Sequence, residues 1–163
     1  MGDFYDGTKL LSLMDTNGNK PEIYMCTTNR SGGKTTWFNR YCVKRFINYK
    51  EKFMLLYRFN YELDGCADKF FKDIGVLFYQ GHAMTSQRRA AGIYHELFLD
   101  GVPCGYAVSI NAADQIKKYS HFFSDTTRML MDEFQSETNH YCGDEGKKFR
   151  AFHTSVARCL GYL

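Results

Sequence analysis

Two short stretches of the chain carry side chains that could do chemistry together. The first, CTTNRSGGKTTWF at 26–38, runs through Asn29, Arg30, Ser31, Gly32, Gly33, Lys34, Thr35 and Thr36. It departs from the phosphate-loop pattern G-x-x-x-x-G-K-[ST] only at Thr28, which stands where the first glycine would be. Glycines let backbone N–H groups curl around an anion without a Cβ clash, and a helix opening there adds about half a positive charge. Lys34 would then reach the β- and γ-phosphates of a nucleotide, and Thr35 would offer its hydroxyl to a bridging Mg²⁺. The second stretch, RMLMDEF at 128–134, ends an apolar run in two adjacent acids. Asp132 suits the metal. Glu133, next along the chain and so aimed differently, suits a base that orients and polarises an attacking water. A nucleotide kinase brings its own nucleophile and rarely needs the second carboxylate, so hydrolysis is the reaction the pair predicts.

Each motif alone has an ordinary structural reading, a glycine turn in one case and a solvated strand end in the other. What joins them is their setting, because each follows an apolar run of strand length. Residues 21–28 (PEIYMCTT) are expected to form a strand entering the loop, and a helix is expected from Gly33 to about Ile47. That helix is apolar around most of its circumference, through Trp37, Phe38, Tyr41, Cys42 and Phe46. Arg40 and Lys44 make a narrow polar strip, as in a helix buried between layers.

The remaining elements alternate. KFMLLYRF (52–59) reads as a strand covered on both faces. Leu63, Cys66, Ala67, Phe70, Phe71 and Ile74 fall on one face of a helix that Gly75 is expected to stop. GVLFYQG (75–81) reads as a further strand. Residues 94–110 read as a hairpin turning at Asp100-Gly101, with Pro103 placing it at a sheet edge. A short polar helix at 111–118 precedes the strand 126–134. A final helix carries Phe149, Phe152, Val156, Leu160 and Leu163 on one side and Arg150, Thr154 and Arg158 on another. The expected fold class is α/β, a mostly parallel central sheet with helices on both faces and an edge β-hairpin, all in one domain over residues 1–163.

Composition is consistent with this. A chain of 163 residues can bury a substantial core without metal or disulfide staples, and 44% hydrophobic with 24% charged residues argues against disorder. No apolar run approaches the roughly 18 residues needed to span a bilayer, and the N-terminus has no signal pattern, so a soluble cytosolic protein without membrane association is expected. The six cysteines show no C-x-x-C pair and read as reduced thiols; His140 and Cys142 find no second pair to complete a metal set. The net charge of +3 is small but uneven. Arg30, Lys34, Arg40, Lys44, Arg45, Lys50, Lys52 and Arg58 face one acid, Glu51, over residues 30–58, a stretch that would suit a polyanion or would solvate a helix face.

TNRSGGKTT together with MLMDEF resembles the ATPase domain of phage terminase large subunits. RFINYKEKFMLLYRFNYEL, LFLDGVPCGYAVSINAADQIKKYS and RMLMDEFQSE look like the DNA-packaging ATPases of small short-tailed phages of the phi-29 type, over most of residues 20–160. The resemblance implies a P-loop NTPase of the ASCE type, the N-terminal ATPase part of a longer packaging protein. Such a subunit would use ATP and Mg²⁺ and work in a homo-oligomeric ring at the prohead portal in the host cytoplasm, with double-stranded DNA and in some cases a structural RNA as partners. It implies Lys34 as loop lysine, Thr35 as magnesium hydroxyl, Asp132 as metal carboxylate, Glu133 as catalytic glutamate and Arg30 as loop arginine. Arg158, with Arg150 as its rival, would be the finger acting on the neighbouring subunit's ATP. Another ASCE machine, such as a helicase or AAA-type ATPase, and a non-hydrolysing ring-assembly adaptor are the alternative readings.

Overall fold

The computed structural model describes residues 5–28, 32–136 and 138–157. After a four-residue helix α1 (Thr8–Leu11), the order is α2 (Lys34–Tyr49), β1 (Lys52–Tyr57), α3 (Cys66–Phe78), β2 (Met84–Arg89), β3 (Tyr94–Leu99), β4 (Val102–Ser109), the short α4 (Ala113–Ile116), β5 (Thr126–Leu130) and α5 (Glu145–Ala157). The five strands form one sheet in the order β2-β3-β4-β1-β5. β1 runs parallel to both β4 and β5, whereas β2, β3 and β4 form an antiparallel meander. The sheet is therefore mixed, and the expectation of a mostly parallel one is corrected: parallel pairing is confined to the half that carries the acids.

β1 shows why its sequence is a continuous apolar run. Phe53 and Leu55 face a core built from Val43 and Phe46 of α2 and Phe70 and Ile74 of α3. Met54 and Leu56 face the opposite core with Ile116, Phe123 and Phe152 and Val156 of α5. Helices thus cover both faces, and a strand between two such layers has no polar side.

The hairpin turns where expected, with Asp100 at φ 52° and Gly101 at φ 78°, the pair of positive angles that a tight two-residue β-turn requires. It is not at the edge. β4 lies between β3 and β1, and β2 is the outer strand. Pro103 is tolerated because pairing with β1 begins only at Gly105, so its missing N–H removes no bond from that ladder. Gly105 is itself obligatory, since a Cβ there would stand 2.2 Å from the Phe53 carbonyl oxygen.

Two further expectations fail, and one strand was not foreseen. Residues 75–81 are not a strand: α3 continues to Phe78, and Gly75 is a packing position, a Cβ there coming within 2.9 Å of the Phe71 ring. β2, with the sequence MTSQRR, lacks an apolar pattern and is a strand because it pairs with β3 from Met84↔Leu99 to Arg89↔Tyr94. Residues 21–28 form no strand, and Ile23 and Met25 stay exposed at 47% and 68%. Strand propensity acts only where a sheet edge accepts the segment, and no strand among the described residues pairs with it. Among the described residues no helix is long and apolar enough to cross a membrane.

Gly105→Ala should destabilise the protein by about 2 kcal/mol or more, because the added methyl must push β4 and β1 apart; urea denaturation measures it, and an unchanged midpoint would show that the two strands yield at no cost.

Candidate functional site

The parallel half of the sheet sets the site. β1 and β5 end side by side, and α2 begins above them. Gly33, in the left-handed region at φ 79°, turns the chain into α2 so that Lys34 and Thr35 occupy its first turn. Asp132 follows β5 by two residues. Thr35 Oγ1 donates to Asp132 Oδ2 at 2.7 Å across 97 residues of sequence, and Lys34 Nζ lies 3.8 Å from Asp132 Oδ1. The loop lysine, the hydroxyl and the first acid therefore meet, as their spacing in sequence could only suggest.

Glu133 is exposed and has a left-handed backbone, φ 53°. Its N–H donates to Asp132 Oδ1 at 3.1 Å. Asp132 is tied to α2 by its side chain, and Glu133 follows it on a left-handed turn. Both line a cleft of about 280 Å³ together with Thr35, Asn39, Tyr57 and Glu62. Tyr57 stays a neutral hydroxyl, because burial, and after it the charges of Cys66, Glu62 and Asp132, raise its pKa above the usual phenol value. The Asn39 amide is spent on the Phe70 carbonyl at 3.1 Å and so fixes α2 against α3 beneath the cleft.

One residue here escaped the sequence reading. Arg58, just past β1 and 9% exposed, donates from Nε and Nη2 to both oxygens of Glu145 at 2.7 and 2.9 Å. Nη2 also donates to the Phe134 carbonyl at 3.0 Å, and the guanidinium reaches the Glu133 carbonyl at 3.4 Å. It thus holds the backbone of the strained acid turn. Burial raises the pKa of Glu145, but the Arg58 hydrogen bonds and the Cys142 N–H outweigh this and keep its carboxyl below the usual range. The only hint in the sequence was an arginine closing an apolar strand.

The rest of the basic stretch is largely consumed within the molecule. Arg45 and Arg128 both clamp Glu51, and Lys52 pairs with Asp125 at 2.6 Å. Arg40 lies 4.1 Å over the Phe78 ring, and Arg40 and Lys44 line a groove at the far end of α2. Asn29, Arg30, Ser31 and Arg158 lie outside the described residues, as do Leu160 and Leu163; Thr36 is half-buried in α2, and Arg150 is exposed on α5. Cys26, Cys42, Cys66, Cys104 and Cys142 are free thiols. No group of three or more His, Cys, Asp or Glu suited to a metal exists among the described residues. A magnesium site does not need one, since Mg²⁺ takes one or two protein oxygens and completes its shell with phosphates and water. The hydroxyl of Thr35 and the carboxylate of Asp132 are hard oxygen donors of that kind.

A family model described as Podovirus DNA encapsidation protein (Gp16) matches residues 3–160. The chain belongs to this family. It is similar in fold to the crystal structure of the N-terminal domain of the DNA packaging ATPase from bacteriophage phi29, at 22% identity and TM-score 0.61, over 76% of this chain and 60% of that one. It is also similar to a chain of the bacteriophage phi-29 viral genome packaging motor assembly, at 20% identity and TM-score 0.60, over 94% of this chain and 42% of the other. A third similar structure is the phi-28 gp11 DNA packaging motor, at 14% identity and TM-score 0.55, over 78% and 40%. The chain thus spans less than two thirds of each of these structures. No curated protein sequence matches it.

Arg58→Met, which strands the Glu145 carboxylate at 17% exposure, should cost about 3 kcal/mol by urea denaturation at pH 7, and Arg58→Met/Glu145→Leu should recover most of it. The depressed Glu145 pKa means that its contribution is complete above the unfolded value of about 4.3 and is lost as pH falls through the lower folded value. The double variant should therefore lack that step of acid destabilisation.

Proposed function

We propose that this chain is the ATPase domain of a viral double-stranded DNA packaging motor, a terminase-like P-loop NTPase of the ASCE type that hydrolyses ATP to drive genome translocation into the prohead. One observation carries the reading: Thr35 and Lys34 at the start of α2 converge on Asp132 at the end of β5. Membership of an encapsidation family supplies the biological setting, phage assembly within the host cell.

In this reading the phosphate chain of ATP enters at the N-terminus of α2, where Gly33 turns the chain into the first helical turn and the N–H groups of that turn are available to an anion. Lys34 leaves Asp132 to meet the β- and γ-phosphates, so its charge is transferred from one anion to another rather than desolvated. Thr35 and Asp132 would hold Mg²⁺, which when bound would offset the charge that develops on the phosphates. Glu133, on the turn that follows Asp132, accepts a hydrogen bond from water in the cleft and aims it at the γ-phosphorus. Arg58 keeps that turn from relaxing. The subunits work as a homo-oligomeric ring on duplex DNA at the portal, and Arg150 on the exposed side of α5, or Arg158 beyond it, would reach the neighbouring subunit's nucleotide.

Lys34→Ala should abolish Mg·ATP binding by isothermal titration while leaving the circular dichroism unchanged; normal binding would remove the site assignment. Glu133→Gln should bind Mg·ATP as the wild type does but lose about 10²-fold or more in turnover. Equal turnover in the two proteins would reassign the base, and absence of turnover in the wild-type ring would favour the non-hydrolysing adaptor.

A further inference from the structure

Residues ahead of the phosphate loop are built against it. The Tyr5 N–H donates to the Gly32 carbonyl at 2.9 Å. The Tyr5 hydroxyl accepts from the Cys26 thiol at 2.9 Å, on the segment that enters the loop. Its ring meets Trp37 edge-on at 6.2 Å and tilts against Phe38 at 5.8 Å, both in the first turns of α2. Gly7 is buried flat against the Trp37 indole, and a Cβ there would come within 2.5, 2.7 and 2.9 Å of three ring carbons. Asp6, between them, accepts from both the N–H and the hydroxyl of Thr8, at 2.9 and 2.6 Å, and so fixes the turn that brings Gly7 onto the ring.

We propose that Tyr5 and Gly7 act as a brace that sets the orientation of the Gly32–Gly33 peptide for an incoming phosphate chain. The physical reason lies in the peptide plane. In a trans peptide the carbonyl of Gly32 and the N–H of Gly33 point in opposite directions, so a donor that captures the carbonyl from one side presents the N–H on the other. Two adjacent glycines are otherwise free to let this peptide turn over, which would aim a carbonyl dipole at the phosphates. Tyr5 removes that alternative, and Gly7 keeps Tyr5 in place by seating its segment on Trp37. The indole in turn stacks on Tyr41 at 5.2 Å and 10°, and Tyr41 lies under the Arg128 guanidinium of β5 at 5.3 Å. One continuous set of contacts therefore runs from the brace to the strand that presents Asp132.

The inference rests on the nucleotide reading above and names Tyr5 and Gly7 as positioning residues for its phosphate subsite. The test uses fluorescent mant-ADP with Mg²⁺, displaced by inorganic pyrophosphate, on the full chain. Gly7→Val, which drives the segment off Trp37, should weaken both mant-ADP and pyrophosphate by about tenfold or more with little change in the urea midpoint. Gly7→Val/Trp37→Leu, which gives the new side chain room, should restore both affinities to within about threefold of the wild type. Unchanged pyrophosphate affinity in Gly7→Val, or a loss that the second substitution does not relieve, overturns the brace while leaving nucleotide binding standing. A wild-type chain that binds neither probe overturns the nucleotide reading, and the brace with it.

Discussion

A single buried cation organises the functional end of this molecule. Arg58 sits where β1 leaves the sheet, and its guanidinium meets a carboxylate from α5 and the carbonyls of Glu133 and Phe134. A buried guanidinium is costly unless its donors are filled, and this one is filled by partners from two other parts of the chain. The sheet core, the acid turn and the last helix are thereby coupled. Its own carbonyl completes the arrangement by accepting from the Ser109 hydroxyl at 3.0 Å, which ties the end of β4 to the same point.

The strain at Glu133 becomes intelligible from this. A positive φ at a glutamate costs on the order of 1 kcal/mol and persists only where the surroundings over-determine it. Here the Asp132 carboxylate takes the Glu133 N–H from one side while Arg58 approaches its carbonyl from the other. The backbone is held at both ends of one residue. β5 has already ended at Leu130, so the backbone of the two acids is set by these hydrogen bonds rather than by strand pairing.

Much of this architecture was legible in the sequence, and the failures have physical causes. β1, α2, the hairpin turn and the apolar face of α3 were readable because each buries a periodic pattern or uses a turn with a narrow chemical requirement. Residues 75–78 were misread because a short apolar run fits either a strand or the last turn of a helix, and their exposed side chains Val76, Leu77 and Phe78 gave no periodicity to decide it. β2 was invisible since its identity comes from its partner. The acids and the lysine were found by residue type and order, but their meeting at Asp132 is a tertiary fact. The basic stretch was open to two readings, a polyanion surface or a solvated helix face, and the sequence could not show that Arg45, Lys52 and Arg58 pair with Glu51, Asp125 and Glu145. Net charge over a window says little when partners come from distant segments.

The contacts at Asp132 also balance charge at the start of α2. Lys34 at a helix N-terminus adds a cation where the backbone already presents positive charge, an arrangement that repels itself. Asp132 relieves this by approaching both Lys34 and Thr35. A phosphate chain entering the loop would offer Lys34 more negative charge than one carboxylate does, and would free Asp132 oxygens for a metal. In the proposed reading, that exchange relies on the orientation of the Gly32–Gly33 peptide and on the turn at Glu133. The first is held by the backbone contact of Tyr5 and the second by the guanidinium of Arg58.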